Sequence, residues 1–377
     1  MNIKVSVISA AVVMALGASA ATQAAPMRTA SGSFGGFTWQ AQTSIVGTGS
    51  TATLAAGGNP VYFASMPQYS GAVALIMDYG PGGQFTCSGS LMSDRRSILT
   101  AAHCVSDDAA ERPISTTAYF YGGDDPDTVV PGNPAATAVD VSDYFVNAGY
   151  TGKVFDDNDI AVLRLAEEAP AFAASYDLYD GGPDATLTGE DVNLAGYGRR
   201  SDTGGAAGAN LGTGRLRQGD NNFAFRFGDP DWGGFFVDPG FFGPIADFSY
   251  VVDFDNGLAA NDASCQLAGF FALGGAKYCN LGLGIMESVT AGGDSGGPNF
   301  VGGRVASVTS YGLTFGSDFG DIDESLNDTF GEFSGLVPVY RHLDFIRGSL
   351  VGVPEPGSLA LLGLGLAGLG FARRRKA

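Results

Sequence analysis

Glycine is the feature that most constrains how this chain can fold: it supplies 58 of 377 residues, about twice the usual share. The glycines follow no fixed period, which excludes a collagen-type repeat. They act as punctuation. Short β-type runs such as "AVALIM", "IAVLRL", "VNLAGYG" and "VASVTSYG" stand between Gly-, Asp- and Asn-rich segments, while long amphipathic helical patterns are scarce. Many short strands broken by turns imply an antiparallel all-β sandwich or barrel. "PVYRHLDFIRG", residues 338–348, is the best helix candidate.

The two ends carry separate instructions. Lys4, the apolar run Val5 to Leu16 and the small residues "GASAATQAAP" have the layout of a secretory signal peptide over 1–25, with cleavage expected at Ala18-Ser19-Ala20 or near Ala24/Ala25. At the other end, Leu359 to Ala372 is an uninterrupted apolar and glycine run, followed by Arg373, Arg374, Arg375 and Lys376. As a helix these residues would rise about 21 Å, short of the roughly 30 Å hydrocarbon core, so a transient anchor held by a cytoplasmic basic cluster is expected. Gly363, Gly365 and Gly368 satisfy the dinucleotide-binding GxGxxG spacing. No βαβ unit can surround them there, so the nucleotide reading fails.

With Pro354-Glu355-Pro356 ahead of it, this tail (354–377) resembles the PEP-CTERM sorting signal. That resemblance implies handling by an exosortase-like membrane enzyme after signal peptidase has acted. It also implies delivery to the cell surface or extracellular matrix of a Gram-negative-type bacterium.

Between the signals the chain is strongly acidic. The whole sequence carries 20 basic and 39 acidic residues; leaving out Lys4, Glu355 and the terminal cluster gives 15 against 38. Nucleic acid and anionic lipid are poor partners for such a surface. Acidic clusters at Asp124, Asp125, Asp127 and at Asp253, Asp255 offer oxygen ligands for a structural Ca²⁺, without the EF-hand spacing, and solvated loops are the ordinary reading of such runs. Cys87, Cys104, Cys265 and Cys279 form an even set in an exported chain, which suggests two disulfides with three possible pairings. Proximity favours Cys87–Cys104 and Cys265–Cys279. A zinc site lacks ligand histidines and CxxC spacing.

Only two histidines occur, and His103 lies in "LTAAHC". A histidine acting as general base toward a serine needs a carboxylate to fix its tautomer. It also needs a serine beside main-chain N–H groups that can receive an oxyanion. "NDIAVLRL" sets Asp159 just before an apolar strand, and "AGGDSGGP" sets Ser295 among Gly292, Gly293, Gly296, Gly297 and Pro298. The N–H groups of Gly293 and Ser295 are the candidate oxyanion donors.

The words "TAAHC", "NDIAVLRL" and "GDSGGP", in that order, resemble the chymotrypsin- and trypsin-like serine endopeptidases. The likeness runs from about Gln68 to Gly348 and includes "FTCSGSLMSDRRSILTAAHC" with its disulfide, "AGYG" at 195–198 and the second cysteine pair. It implies two six-stranded antiparallel barrels with the site in the cleft between them and a C-terminal helix. It further implies that Ser295 is the nucleophile, His103 the general base and Asp159 its orienting carboxylate. Ser310, Tyr311 and Gly312 would pair with an extended protein or peptide substrate, and His342 would be structural at the surface.

The chain also departs from that pattern. Ala291 stands where many relatives carry a cysteine. Val289, six before the nucleophile, is apolar where trypsin-like enzymes are acidic, so with Thr290 beside it the pocket is expected to prefer apolar P1 side chains. In the family Asp294 pairs with a new N-terminal ammonium; the equivalent start, near Val61, has no preceding Lys or Arg. Either another protease cuts there, or Asp294 has an internal partner. Residues 26–60 read as a propeptide or an N-terminal extension, and 61–350 as the protease domain. Phe223 to Ala263 is an insertion that either shapes the cleft rim or packs as a loop. The resulting expectation is a monomeric exported serine endopeptidase without a cofactor. The rival is a catalytically silent surface or matrix binding protein on the same fold.

Overall fold

A computed structural model describes residues 23–24, 30–34, 37–42, 46–106, 111–181, 186–274 and 277–350. Most of the signal peptide and the entire PEP-CTERM tail lie outside the described residues.

Six strands close the first unit: Ala72–Asp78, Gln84–Leu91, Ser97–Thr100, Ser115–Phe120, Thr137–Val146 and Ala161–Leu165. Every neighbour pair is antiparallel, and the circle shuts where Ser90 faces Leu99 and Leu91 faces Ile98. Alternation explains why "AVALIM" is apolar throughout. Val73, Leu75 and Met77 point into the barrel with Leu91, Ile98, Phe120 and Leu163. Ala72 and Ala74 point the other way, into a second core shared with Tyr197, Val308, Val337 and Ile346. A strand buried on both faces has no place for polar alternation, and that second core joins the two units.

The second unit is one curved sheet. Its strands run in the order Arg217–Asn222, Asp191–Gly196, Pro298–Val301, Arg304–Thr314, Phe333–Pro338, Tyr250–Asp253 and Phe225–Arg226. It forms a half-barrel, open between Arg217–Asn222 and Tyr250–Asp253. A side chain spans that seam: Asn221 Nδ2 donates to Asp253 O (2.7 Å) and to Ser288 O (2.8 Å). The all-β class, the closed six-stranded first barrel and the C-terminal helix Leu343–Ser349 are those the resemblance implied. The second unit is instead a half-barrel where a second closed six-stranded barrel was expected, because its two outer strands do not pair among the described residues.

Two segments were not placed by sequence reasoning. The 223–263 insertion contributes Phe225, Phe227, Trp232, Phe236 and Phe242 to an aromatic core with Phe155, Tyr311, Phe315 and Phe333, so it packs as part of the fold. The N-terminal hairpin, Ala30–Phe34 with Phe37–Gln42, joins the same core through Phe37, which is 1% exposed. Its second strand adds antiparallel to Arg304–Thr314, setting Gln42 opposite Gly312, Ala41 opposite Leu313 and Gln40 opposite Thr314.

The cysteines pair as Cys87–Cys104 and Cys265–Cys279. Asp125 and Asp127 serve ordinary structural ends. Asp127 Oδ1 holds Arg217 Nη2 at 2.8 Å and its Oδ2 accepts from Leu54 N, while Asp125 caps its own turn. His342 is buried, not superficial: its Nδ1 accepts from Asn147 Nδ2 (3.1 Å), and its Nε2–H donates to Asp157 O (2.7 Å). Helix packing turns the ring inward, where it braces the loop leading to Asp159.

Candidate active site

His103 lies in a single 3-10 turn, Ala102–Cys104, directly after the barrel strand Ser97–Thr100. Asp159 ends the turn that starts at Asp156, with Asp159 N donating to Asp156 O. Asp156 also gathers Thr151 and Asn158 onto its own carboxylate. The Asp159 carboxylate thereby points inward just ahead of Ala161–Leu165. Its Oδ1 accepts from His103 N (2.8 Å), and its Oδ2 faces His103 Nδ1 (2.7 Å) and accepts from Ser310 Oγ (2.5 Å). Burial alone would raise this carboxyl, and it is the largest single influence. The charge and hydrogen bonds of His103, together with Ser310, outweigh it and hold Asp159 below its ordinary value.

His103, Asp159 and Ser295 are 6%, 2% and 1% exposed. With Nδ1 committed to Asp159, the free nitrogen of His103 is Nε2. Both His103 Nε2 and Ser295 Oγ are buried without a hydrogen-bond partner among the described residues.

Glycines let the Ser295 loop press against the first barrel. A Cβ on Gly296 would overlap Thr100 Oγ1 and stand 2.6 Å from Ala101 N, and one on Gly297 would lie 2.5 Å from Ala195 O. Ser88, which the sequence reading passed over, stitches the contact. Ser88 N donates to Ser295 O (2.8 Å), its Oγ donates to Gly293 O (2.8 Å), and that Oγ accepts from Tyr197 N (2.9 Å). Its place beside Cys87 in "FTCSGS" is the one signal that marks it. Gly293 takes φ +103°, a conformation few other residues adopt.

Asp294 has an internal setting. Its Oδ1 accepts from Gly198 N (2.8 Å) and its Oδ2 from Ala291 N (3.0 Å). "AGYG" is shaped around this carboxyl, because a Cβ on Gly196 or Gly198 would overlap it. Burial pushes Asp294 well above the carboxylate range; the Gly198 N–H opposes that shift and Asp328 adds to it. Val61 sits in the 3-10 turn Pro60–Tyr62, its N bound to Asn59 Oδ1.

The candidate substrate-binding residues are buried in the second unit. Val289 is 1% exposed in an apolar cluster with Val46, Phe254, Ala291 and Phe330, and pairs with Val46. Thr290 N and Oγ1 both reach Ser334 Oγ. Tyr311 turns its ring into the aromatic core and bonds Ser249 Oγ through its hydroxyl (2.6 Å). Gly312 is the residue opposite Gln42 of the N-terminal strand.

A closed β-barrel and a half-barrel bring a histidine, a buried aspartate and a glycine-flanked serine into one place. A scan against family models finds trypsin over residues 56–222 and the PEP-CTERM protein-sorting motif over 352–376. The chain therefore carries a trypsin-family domain and a PEP-CTERM sorting signal. The family match takes in His103 and Asp159, while Ser295 follows it beyond the insertion. A search of curated proteins finds no match. Among the described residues no helix is long and apolar enough to cross a membrane.

Proposed function

We propose that the protein is an exported serine endopeptidase in which Ser295 attacks the scissile carbonyl. His103 Nε2 takes the Ser295 proton and returns it to the leaving amine, giving an acyl ester at Ser295 that water then hydrolyses. Asp159 keeps His103 Nδ1 protonated and stabilises the imidazolium. The N–H groups of Gly293 and Ser295 receive the oxyanion. The observation that carries this reading is the grip of Asp159 on both His103 Nδ1 and His103 N. Among the described residues His103 Nε2 and the Ser295 hydroxyl are both buried without a hydrogen-bond partner. Val289 itself, packed among apolar residues, favours apolar P1 residues. The sorting motif supports delivery to the cell surface.

Residues 26–60 act in this proposal as a propeptide that covers the substrate edge. Extended substrates of this class lie antiparallel on the strand containing Ser310 to Gly312, and Phe37–Gln42 pairs in that sense with its far end. The chain then reappears at Val46, packed on Val289. Labelling of the secreted protein with a fluorophosphonate, before and after limited proteolysis near Val61, tests both parts. An adduct at Ser295 after cleavage supports the enzyme. Labelling that is equally fast without cleavage removes the propeptide role. No adduct in either state favours a silent binding protein.

A further inference from the structure

Where the insertion rejoins the second unit, three aspartates meet away from the catalytic residues. Asp253 ends the strand Tyr250–Asp253, Asp255 follows two residues later, and Asp262 caps the helix Ala263–Phe270. They are 5%, 2% and 1% exposed, and one carboxylate oxygen from each lies within 4.8 Å of the others. Glu287, 1% exposed, flanks them and accepts from Asp255 N at 2.7 Å. Among the described residues no ion pair reaches any of the four.

Their hydrogen bonding is uneven. Asp253 Oδ2 accepts from Ser264 N and Oγ, and Asp262 Oδ1 accepts from Cys265 N. Glu287 Oε2 accepts from Leu283 N. Asp255 differs: its Oδ1 is buried in the group with no partner. A buried carboxylate oxygen without a donor is costly unless a cation meets it. Two ligands at 2.3–2.6 Å from one Ca²⁺ stand at most about 5 Å apart, which matches the spacing of these oxygens.

We propose that Asp253, Asp255 and Asp262, backed by Glu287, bind a Ca²⁺ ion. The donors are hard oxygens, and both nearby cysteines are tied up in their disulfide, so Ca²⁺ fits better than a thiophilic metal. The ion ties the 253–262 segment to Glu287, eight residues before Ser295. It therefore stiffens the chain that leads to Val289 and the nucleophile loop.

The test uses full-length Ser295→Ala protein, which removes self-cleavage, depleted of metal with a chelator. Thermal unfolding is followed with Ca²⁺ or Mg²⁺, and Tb³⁺ luminescence is excited through Trp232 and Tyr278, whose rings are 4.7 Å apart beside the group. A hundredfold excess of Ca²⁺ over its Kd raises Tm by about 5–10 °C. Ca²⁺, but not an equal concentration of Mg²⁺, displaces the bound Tb³⁺. Asp255→Asn abolishes both effects and, in chelator, melts no lower than its parent because it also removes repulsion. Glu287→Gln serves as the second variant if Asp255→Asn does not fold, and it weakens the Ca²⁺ shift.

Another carboxylate group, Asp321, Asp323 and Glu332, provides the control; its oxygens are taken by N–H and hydroxyl donors. The proposal is overturned if Ca²⁺ leaves the parent's Tm unchanged. It is equally overturned if the shift persists in Asp255→Asn but disappears in Asp323→Asn.

Discussion

Gly198→Ala isolates the role of the "AGYG" turn. Gly198 does not need a positive φ, so the substitution adds volume without imposing backbone strain. The new Cβ would overlap the Asp294 carboxyl and stand 2.8 Å from Ala291 O. Asp294 must swing away, leaving the N–H groups of Gly198 and Ala291 without their 2.8 and 3.0 Å acceptor. Each buried donor so orphaned costs about 1–3 kcal/mol, giving a loss of about 2–6 kcal/mol, or on the order of 10 °C in Tm. Asp294 precedes Ser295 directly, so fluorophosphonate labelling of the processed protein should also slow. Gly212→Ala is the control, since a Cβ there meets nothing within 4 Å. Unfolding and labelling of Gly198→Ala that match the Gly212→Ala control would refute the view that these glycines exist to house the carboxyl.

Four further outcomes are expected. Ser310→Ala removes one donor from the buried Asp159 carboxylate and should reduce kcat/KM about 10- to 100-fold, the worth of a hydrogen bond to a charged group; parental kinetics would exclude a positioning role. Replacing Cys265 and Cys279 together by Ser opens a short loop and should cost about 3 kcal/mol in thermal unfolding. Burial lowers His342 to about 4. The unfolded chain therefore binds the extra proton first, and His342 costs stability as pH falls from about 6.5 toward 4. Asp157, raised to about 6 by burial, has the opposite slope, so the His342 contribution is read as the difference between parent and His342→Asn across that window. Phe37→Ala should loosen the N-terminal hairpin and raise the labelling rate of the uncut protein, which a merely decorative hairpin would not do.

What was legible in the sequence was local. "TAAHC", "NDIAVLRL" and "GDSGGP" each join a turn to one end of a strand, so many of the residues that aim His103, Asp159 and Ser295 lie within a few positions of them. The barrel strands were readable for the same reason, as apolar runs bounded by turn residues. What escaped was made by distant partners. Gln42 pairs with Gly312 and Ser88 bonds the Ser295 loop; nothing near either residue announces its partner. The insertion looked like a loop because its phenylalanines have no strand or helix period. They are ordered by packing on Tyr311, Phe315 and Phe333. The four acidic residues of the proposed Ca²⁺ site are spread from 253 to 287 and converge only once the half-barrel is built.

The way Phe37 is seated has a kinetic consequence. Its ring is wedged among Phe270, Phe271, Phe315 and Phe319, a burial worth about 1.5–3 kcal/mol. Cutting the chain beyond the hairpin does not remove this contact. It converts a tethered strand, held at an effective concentration near the millimolar range, into a separate peptide with its own dissociation constant. Cleavage and activation are then different events, the second governed by dilution. Under the proposed propeptide role, a freshly nicked molecule would stay quiet while concentrated and gain activity on dilution.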